Sequence, residues 1–129
     1  MIDDLLLDDI KGMSALDASD MLPAVASSGA QMREAVVTIN RDSLATVSKG
    51  DQPRNIVVAG LGGSGVGGQV LRAVLGQGVQ VPIVLEQSHS LPGWVGPMDV
   101  VIGVSCSGMT EETLSTTAEA GRRGARVIT

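Results

Sequence analysis

The chain has no phenylalanine, no tyrosine and a single tryptophan, Trp94. A core built without such rings must draw on Val, Leu, Ile, Ala and Met, which suits β-branched strands covered by Ala- and Leu-rich helices. Cysteine is nearly missing too. Cys106 stands alone, which excludes an internal disulfide and suits a reducing cytoplasm. Concentrated positive charge is also lacking: 9 Lys and Arg against 14 Asp and Glu leave a net charge of −5. With no basic stripe or tail, the chain lacks the means to displace counterions from a nucleic acid. The opening "MIDDLLLDDIKG" has acids where a signal peptide has positive charge. The uncharged run from Asn55 to Leu71 is too short and too glycine-rich for a membrane-spanning helix. These absences lead to the expectation of a soluble cytoplasmic protein with neither nucleic acid nor membrane as a partner.

What is present is glycine, 17 of 129 residues, and a strong alternation of patterns. Residues 1–54 read as a helical extension. "DDLLLDDI" is a short amphipathic start, and "DASDMLPAV" offers Ser19 or Asp20 as an N-cap with Pro23 in the first turn. From Ala30 to Ser48, Met32, Val36, Ile39, Leu44 and Val47 recur near helical spacing, and Gly50 is the expected stop. Residues 55–129 read differently. "NIVVAG", "VPIVLE", "DVVIGVS" and "ARVIT" are short β-branched runs, with helices expected over Ser64–Leu75 and Thr110–Arg123. Strand, helix, strand, strand, helix, strand implies an open parallel α/β sheet with right-handed crossovers. The last of these runs ends the chain in mid-sheet, so the domain is expected to continue past Thr129.

The first of those strands runs into "GLGGSGVGG", Gly60–Gly68. A strand, glycines and then a helix aim backbone N–H groups and the positive helix end at one spot, which makes an anion site. Gly60, Gly62 and Gly65 fit the dinucleotide fingerprint, with Glu86 about twenty residues further on as its acid. Glycines that merely permit a tight turn and close packing are the plainer alternative. A second stretch, "SCSGMTEETL", shifts the balance. It sets Ser105, Ser107 and Thr110 at a strand-to-helix turn, a hydroxyl cradle suited to a phosphate monoester and superfluous for a dinucleotide. Loops after neighbouring strands of an open parallel sheet face each other at the switch point. Ser64 and the 105–110 loop are therefore expected to address one ligand.

Together "AGLGGSGVGG" and "VSCSGMTEETL" resemble the sugar isomerase (SIS) domain, whose signatures are a G-G-S-G turn and an S-x-S-G-x-T loop. Within it they are closest to the bifunctional phosphoglucose/phosphomannose isomerase group, with "LPGWVGPMDVVIG" and the acid-rich "LDASDML" in support. The resemblance implies a flavodoxin-like three-layer sandwich without metal or nucleotide cofactor. It also implies a homodimer and a hexose 6-phosphate ligand, isomerised between aldose and ketose through a cis-enediol. Ser64, Ser105, Ser107 and Thr110 would hold the phosphate, with Gly63 giving close backbone. Met109 stands where that group has Asn and Cys106 where it often has an aromatic. The base and the ring-opening His come, in that group, from a second SIS domain or a partner subunit, and no residue here matches them. Catalysis by this chain alone is therefore not expected.

The remaining candidates have plainer readings. His89 is expected to be an ordinary loop histidine, and Trp94 a hydrophobic anchor for its loop. Glu111 and Glu112 are expected to sit favourably in the first turn of a helix. A base beside the phosphate would be repelled by it and lie far from C2. Cys106 is expected to be a small buried apolar residue. Two other classes stay open, a non-catalytic phosphosugar sensor and a nicotinamide-dependent oxidoreductase domain using Glu86. Glucose versus mannose preference is not legible.

Overall fold

The computed structural model describes residues 7–39 and 50–129. The chain divides into two compact units, Met1–Ser43 and Leu44–Thr129.

The first unit holds helices α1 (Ile10–Leu16) and α2 (Met21–Thr38). The Asp9 carboxylate starts α1 by accepting from the Lys11 N–H at 3.1 Å. Asp20 occupies the cap position of α2, as one of the two expected residues, but its side chain makes no capping bond. Its backbone is left-handed (φ 52°), which turns the chain so that Asp17 reaches the helix start instead. The two Asp17 oxygens accept from the Met21 and Leu22 N–H groups at 2.8 and 2.7 Å, meeting two of the orphan donors of the first turn. Pro23 lies in that first turn, where its missing N–H costs nothing. The helix start expected at Ser19 or Asp20 is therefore found, but it runs without a break into the helix expected from Ala30, so the two are corrected to one helix that ends at Thr38; the remainder of the expected helix, residues 40–48, falls outside the described residues.

The second unit is a four-stranded parallel sheet in the order β2-β1-β3-β4, with β1 Ile56–Ala59, β2 Ile83–Glu86, β3 Val100–Gly103 and β4 Arg126–Ile128. The order is that of flavodoxin-like sheets, whose switch point lies between β1 and β3. Val57 pairs with Val84 on one side and Val101 on the other, so β1 is central and its run of Val needs no polar face. Helices α3 (Gly63–Leu75) and α4 (Glu111–Arg122) follow β1 and β3. They cover opposite faces. Val57, Ala59 and Val101 join Ala120 in the main core, on the α4 side. Val58 and Leu85 point the other way, toward Gly68 of α3, where a Cβ would stand 2.8 Å from each.

The β2–β3 connection has no helix, as its Gly and Pro content suggests, yet it is anchored. Leu91 and Val95 are buried in the core, whereas Trp94 is 43% exposed, so the expected tryptophan anchor is corrected to its aliphatic neighbours. Asp99 closes the loop from inside: it is buried, and its carboxylate accepts from Asn55 Nδ2 at 2.7 Å and the Gly96 N–H at 2.8 Å. No helix among the described residues is long and apolar enough to cross a membrane.

Candidate functional site

The glycine-rich turn leaves β1 at Ala59 and enters α3. Its glycines divide by what surrounds them. A Cβ on Gly65 would lie 2.7 Å from the Gly60 carbonyl oxygen and from Gln87 Nε2, so the α3 backbone seats directly on the turn only because that Cβ is missing. Gly62 takes φ 56°, a conformation that side chains disfavour. Gly63 faces open space. The Ser64 N–H is already bonded to the Leu61 carbonyl at 3.1 Å, so its hydroxyl rather than its amide is offered outward.

The loop after β3 lies against this turn, as the neighbouring positions of β1 and β3 require. The Cys106 N–H donates to Ser64 Oγ at 3.3 Å and joins the two loops directly. Within the second loop Ser105 Oγ is 2.9 Å from Thr110 Oγ1 and 3.4 Å from Ser107 Oγ, and the Met109 N–H donates to Ser107 Oγ at 3.1 Å. Gly108 turns this loop with φ 67°. Ser64, Ser105, Ser107 and Thr110 therefore converge, with Gly63 at the open side of the first turn. Four hydroxyl protons serve two hydroxyl–hydroxyl contacts, so at least two remain to donate to a ligand. The amides of Cys106 and Met109 already occupy lone pairs on Ser64 and Ser107. The arrangement suits a ligand that accepts at several oxygens. The first-turn N–H groups of α4 add partial positive charge.

Other candidates separate from this cluster. Cys106 is exposed, not buried as expected: its amide is tied to Ser64 while its side chain stands at the loop tip. Glu86 Oε1 accepts from the Gln87 and Ser88 N–H groups at 2.9 and 2.8 Å, so the carboxylate caps its own turn. The exposed His89 Nε2 lies 3.5 Å from Oε1 of the half-buried Glu112, a contact that is ionic only when the imidazole is protonated. Among the described residues no three His, Cys, Asp or Glu side chains stand together as a metal site.

Sequence reasoning missed the face of α4 that holds the β2–β3 loop. Ser115 Oγ donates to the His89 carbonyl at 2.9 Å, Glu119 accepts from the Leu91 N–H at 3.2 Å, and Arg123 donates to the Pro92 carbonyl at 2.7 Å. These partners are 26 to 31 residues away, and only the helical four-residue spacing of 115, 119 and 123 hinted at a common face. Thr113 was missed as well. Its Oγ1 is buried with no hydrogen-bond partner among the described residues, beside a cavity of about 230 Å³ also lined by Ser105, Gly108 and Thr117.

No protein-family model matches the chain, and no solved structure matches it. Three curated proteins are similar, all named bifunctional phosphoglucose/phosphomannose isomerase. The one from Caldicellulosiruptor bescii is 38% identical over 80 residues, which cover 62% of this chain and 24% of that protein. Those from Thermoplasma volcanium and Thermoplasma acidophilum are 36% and 40% identical over 72 and 73 residues, again covering 23% of each relative. The chain thus spans about a quarter of the length of the relatives it matches. Over 56–62% of its own length, it is similar to proteins bearing the name of the group that its two loops resemble.

Proposed function

We propose that this chain is the phosphosugar-binding part of a glucose-6-phosphate/mannose-6-phosphate isomerase-like protein. Ser64, Ser105, Ser107 and Thr110 donate hydroxyl protons to the oxygens of a hexose 6-phosphate, and Gly63 lets its phosphate approach the backbone. The observation that carries this reading is the donor surplus of the hydroxyl cluster, joined across β1 and β3 by the Cys106–Ser64 bond. The names of the similar proteins support the same substrate class. Glu86 favours it over a nicotinamide reading, because the carboxylate that would meet a ribose is bound to its own turn.

In this reading the reaction is aldose–ketose isomerisation through a cis-enediol, in a cytoplasmic homodimer, without metal or nucleotide. The general base and the ring-opening His come from outside this chain. The chain supplies capture and orientation of the phosphate, and binding of that remote group holds C1 and C2 in place for a base.

Calorimetric titration with fructose 6-phosphate, with NAD and inorganic phosphate in parallel, tests it. Saturable sugar-phosphate binding is expected, with NAD silent. Ser107→Ala, which removes a donor to a charged group, is expected to weaken binding about ten-fold or more. NAD binding with no response to fructose 6-phosphate overturns the proposal.

A further inference from the structure

The three threonines of α4 use their hydroxyls differently. Thr116 Oγ1 donates to the Glu112 carbonyl, and Thr117 Oγ1 to the Thr113 carbonyl at 2.7 Å, the back-bonding common for Thr within a helix. Thr113 does not bond back. Its Oγ1 is buried with no hydrogen-bond partner among the described residues, although a hydroxyl buried without a partner costs folding free energy. Thr113 comes three residues after Thr110, so it lies on the same helix face, one turn behind the hydroxyl cluster.

The cavity of about 230 Å³ connects the two places. Ser105 and Gly108 of the hydroxyl-rich loop line it, as do Thr113, Leu114 and Thr117 of α4, and its lining carries no charged side chain. A water takes up about 30 Å³ in the liquid, so the cavity has room for several, and a buried water needs at least two polar partners. Thr113 Oγ1 is one. Ser105 Oγ is the other: its contacts with Thr110 Oγ1 at 2.9 Å and Ser107 Oγ at 3.4 Å use two of the three hydrogen-bonding positions of a hydroxyl.

We propose, resting on the phosphate-binding reading above, that Thr113 is a positioning residue of the hydroxyl cluster: water in this cavity joins its Oγ1 to Ser105 Oγ from behind. Thr113 donates to the water and the water donates to Ser105, filling one of its lone pairs. Ser107 and Thr110 then cannot both donate to Ser105. Ser105 gives its own proton to one of them, and that partner's proton is left for a ligand oxygen. Without the bond from behind, Ser105 is also free to accept from both neighbours. Binding must then select between two arrangements, which weakens it.

The test compares the full chain with Thr113→Val, which keeps the shape and removes the hydroxyl, and Thr113→Ser, which keeps the hydroxyl and removes the methyl. Circular dichroism shows that each variant folds, and calorimetry measures fructose 6-phosphate and inorganic phosphate. Thr113→Val is expected to weaken both ligands about five-fold, the worth of one hydrogen bond, and Thr113→Ser to stay within about two-fold of the wild type. A packing role alone would reverse that order, because only Ser loses a buried methyl. The reversed order, or wild-type affinity in the folded Val variant, overturns the proposal while the phosphate site stands. A crystal structure of the wild type with inorganic phosphate bound, at a resolution that shows ordered water, tests it without any variant. A water within hydrogen-bond distance of both Thr113 Oγ1 and Ser105 Oγ is expected there, and a cavity without one overturns the proposal. Failure of the wild type to bind either fructose 6-phosphate or inorganic phosphate overturns both readings.

Discussion

Two glycines two positions apart in the turn after β1 differ in what they do. At Gly65 an added Cβ would strike the Gly60 carbonyl, a backbone atom that cannot move without reshaping the turn. Gly65→Ala is expected to lose about 1–3 kcal/mol of stability in urea unfolding. At Gly63, the first helical residue, the space is open. Gly63→Ala is expected to leave stability unchanged or raise it by up to about 1 kcal/mol, while weakening fructose 6-phosphate binding in calorimetry. A drop in stability at Gly63 equal to that at Gly65 would mean that both glycines serve packing alone. The meeting of Ser105, Ser107 and Thr110 was legible because three hydroxyls within six positions at a strand end fall on one turn. Cys106 was misjudged because residue type predicts burial only on average; here the loop tip decides, and the amide rather than the thiol faces inward.

Helix α4 does two tasks with two faces. Its N-terminus closes the hydroxyl loop, while Ser115, Glu119 and Arg123, four residues apart, hold the backbone of residues 89–92. Glu119 is central to this strap. The hydrogen bond from the Leu91 N–H, and then that from Arg123, hold its carboxyl below the ordinary 4.5. A carboxylate with a lowered pKa in the folded state stabilises the fold above the unfolded value and loses that contribution as pH falls through the lower folded value. Glu119→Gln is therefore expected to be less stable than the wild type at pH 7, with the gap closing as pH falls below about 4.5. Denaturant midpoints of both proteins from pH 7 to pH 3 would check this, and a gap that stays constant across that range would contradict it. The elements themselves were readable to within a residue or two in the 55–129 stretch. The start of α2 was readable as well, since Asp20 takes the cap position as expected, but its capping carboxylate was not: it comes from Asp17 through a left-handed Asp20, a local geometry that residue preferences do not reveal.

The sheet order places the loops after β1 and β3 side by side and the loop after β2 at their flank. The hydroxyl cluster offers donors, and none of its four side chains is suited to shuttle a proton at C1 or C2 of a sugar. Incubation of this chain with glucose 6-phosphate is expected to show binding without formation of fructose 6-phosphate, as read by a coupled assay. Turnover by the chain alone would contradict the assignment of base and ring-opening His to other parts of the protein.

Local chemistry was enough for the sequence to determine the strands, the glycine-rich and hydroxyl-rich loops and the residue types in them. β-branched runs, glycine turns and hydroxyl clusters each act within a few residues. Other features were decided only by the tertiary structure. They include the Cys106–Ser64 bond over 42 residues, the burial of Asp99 against Asn55, and the seating of Leu91 and Val95 in place of Trp94. Each is a contact between distant segments whose partners depend on strand order. Strand order follows from packing helices on both faces of one sheet, which no short stretch of the chain encodes by itself.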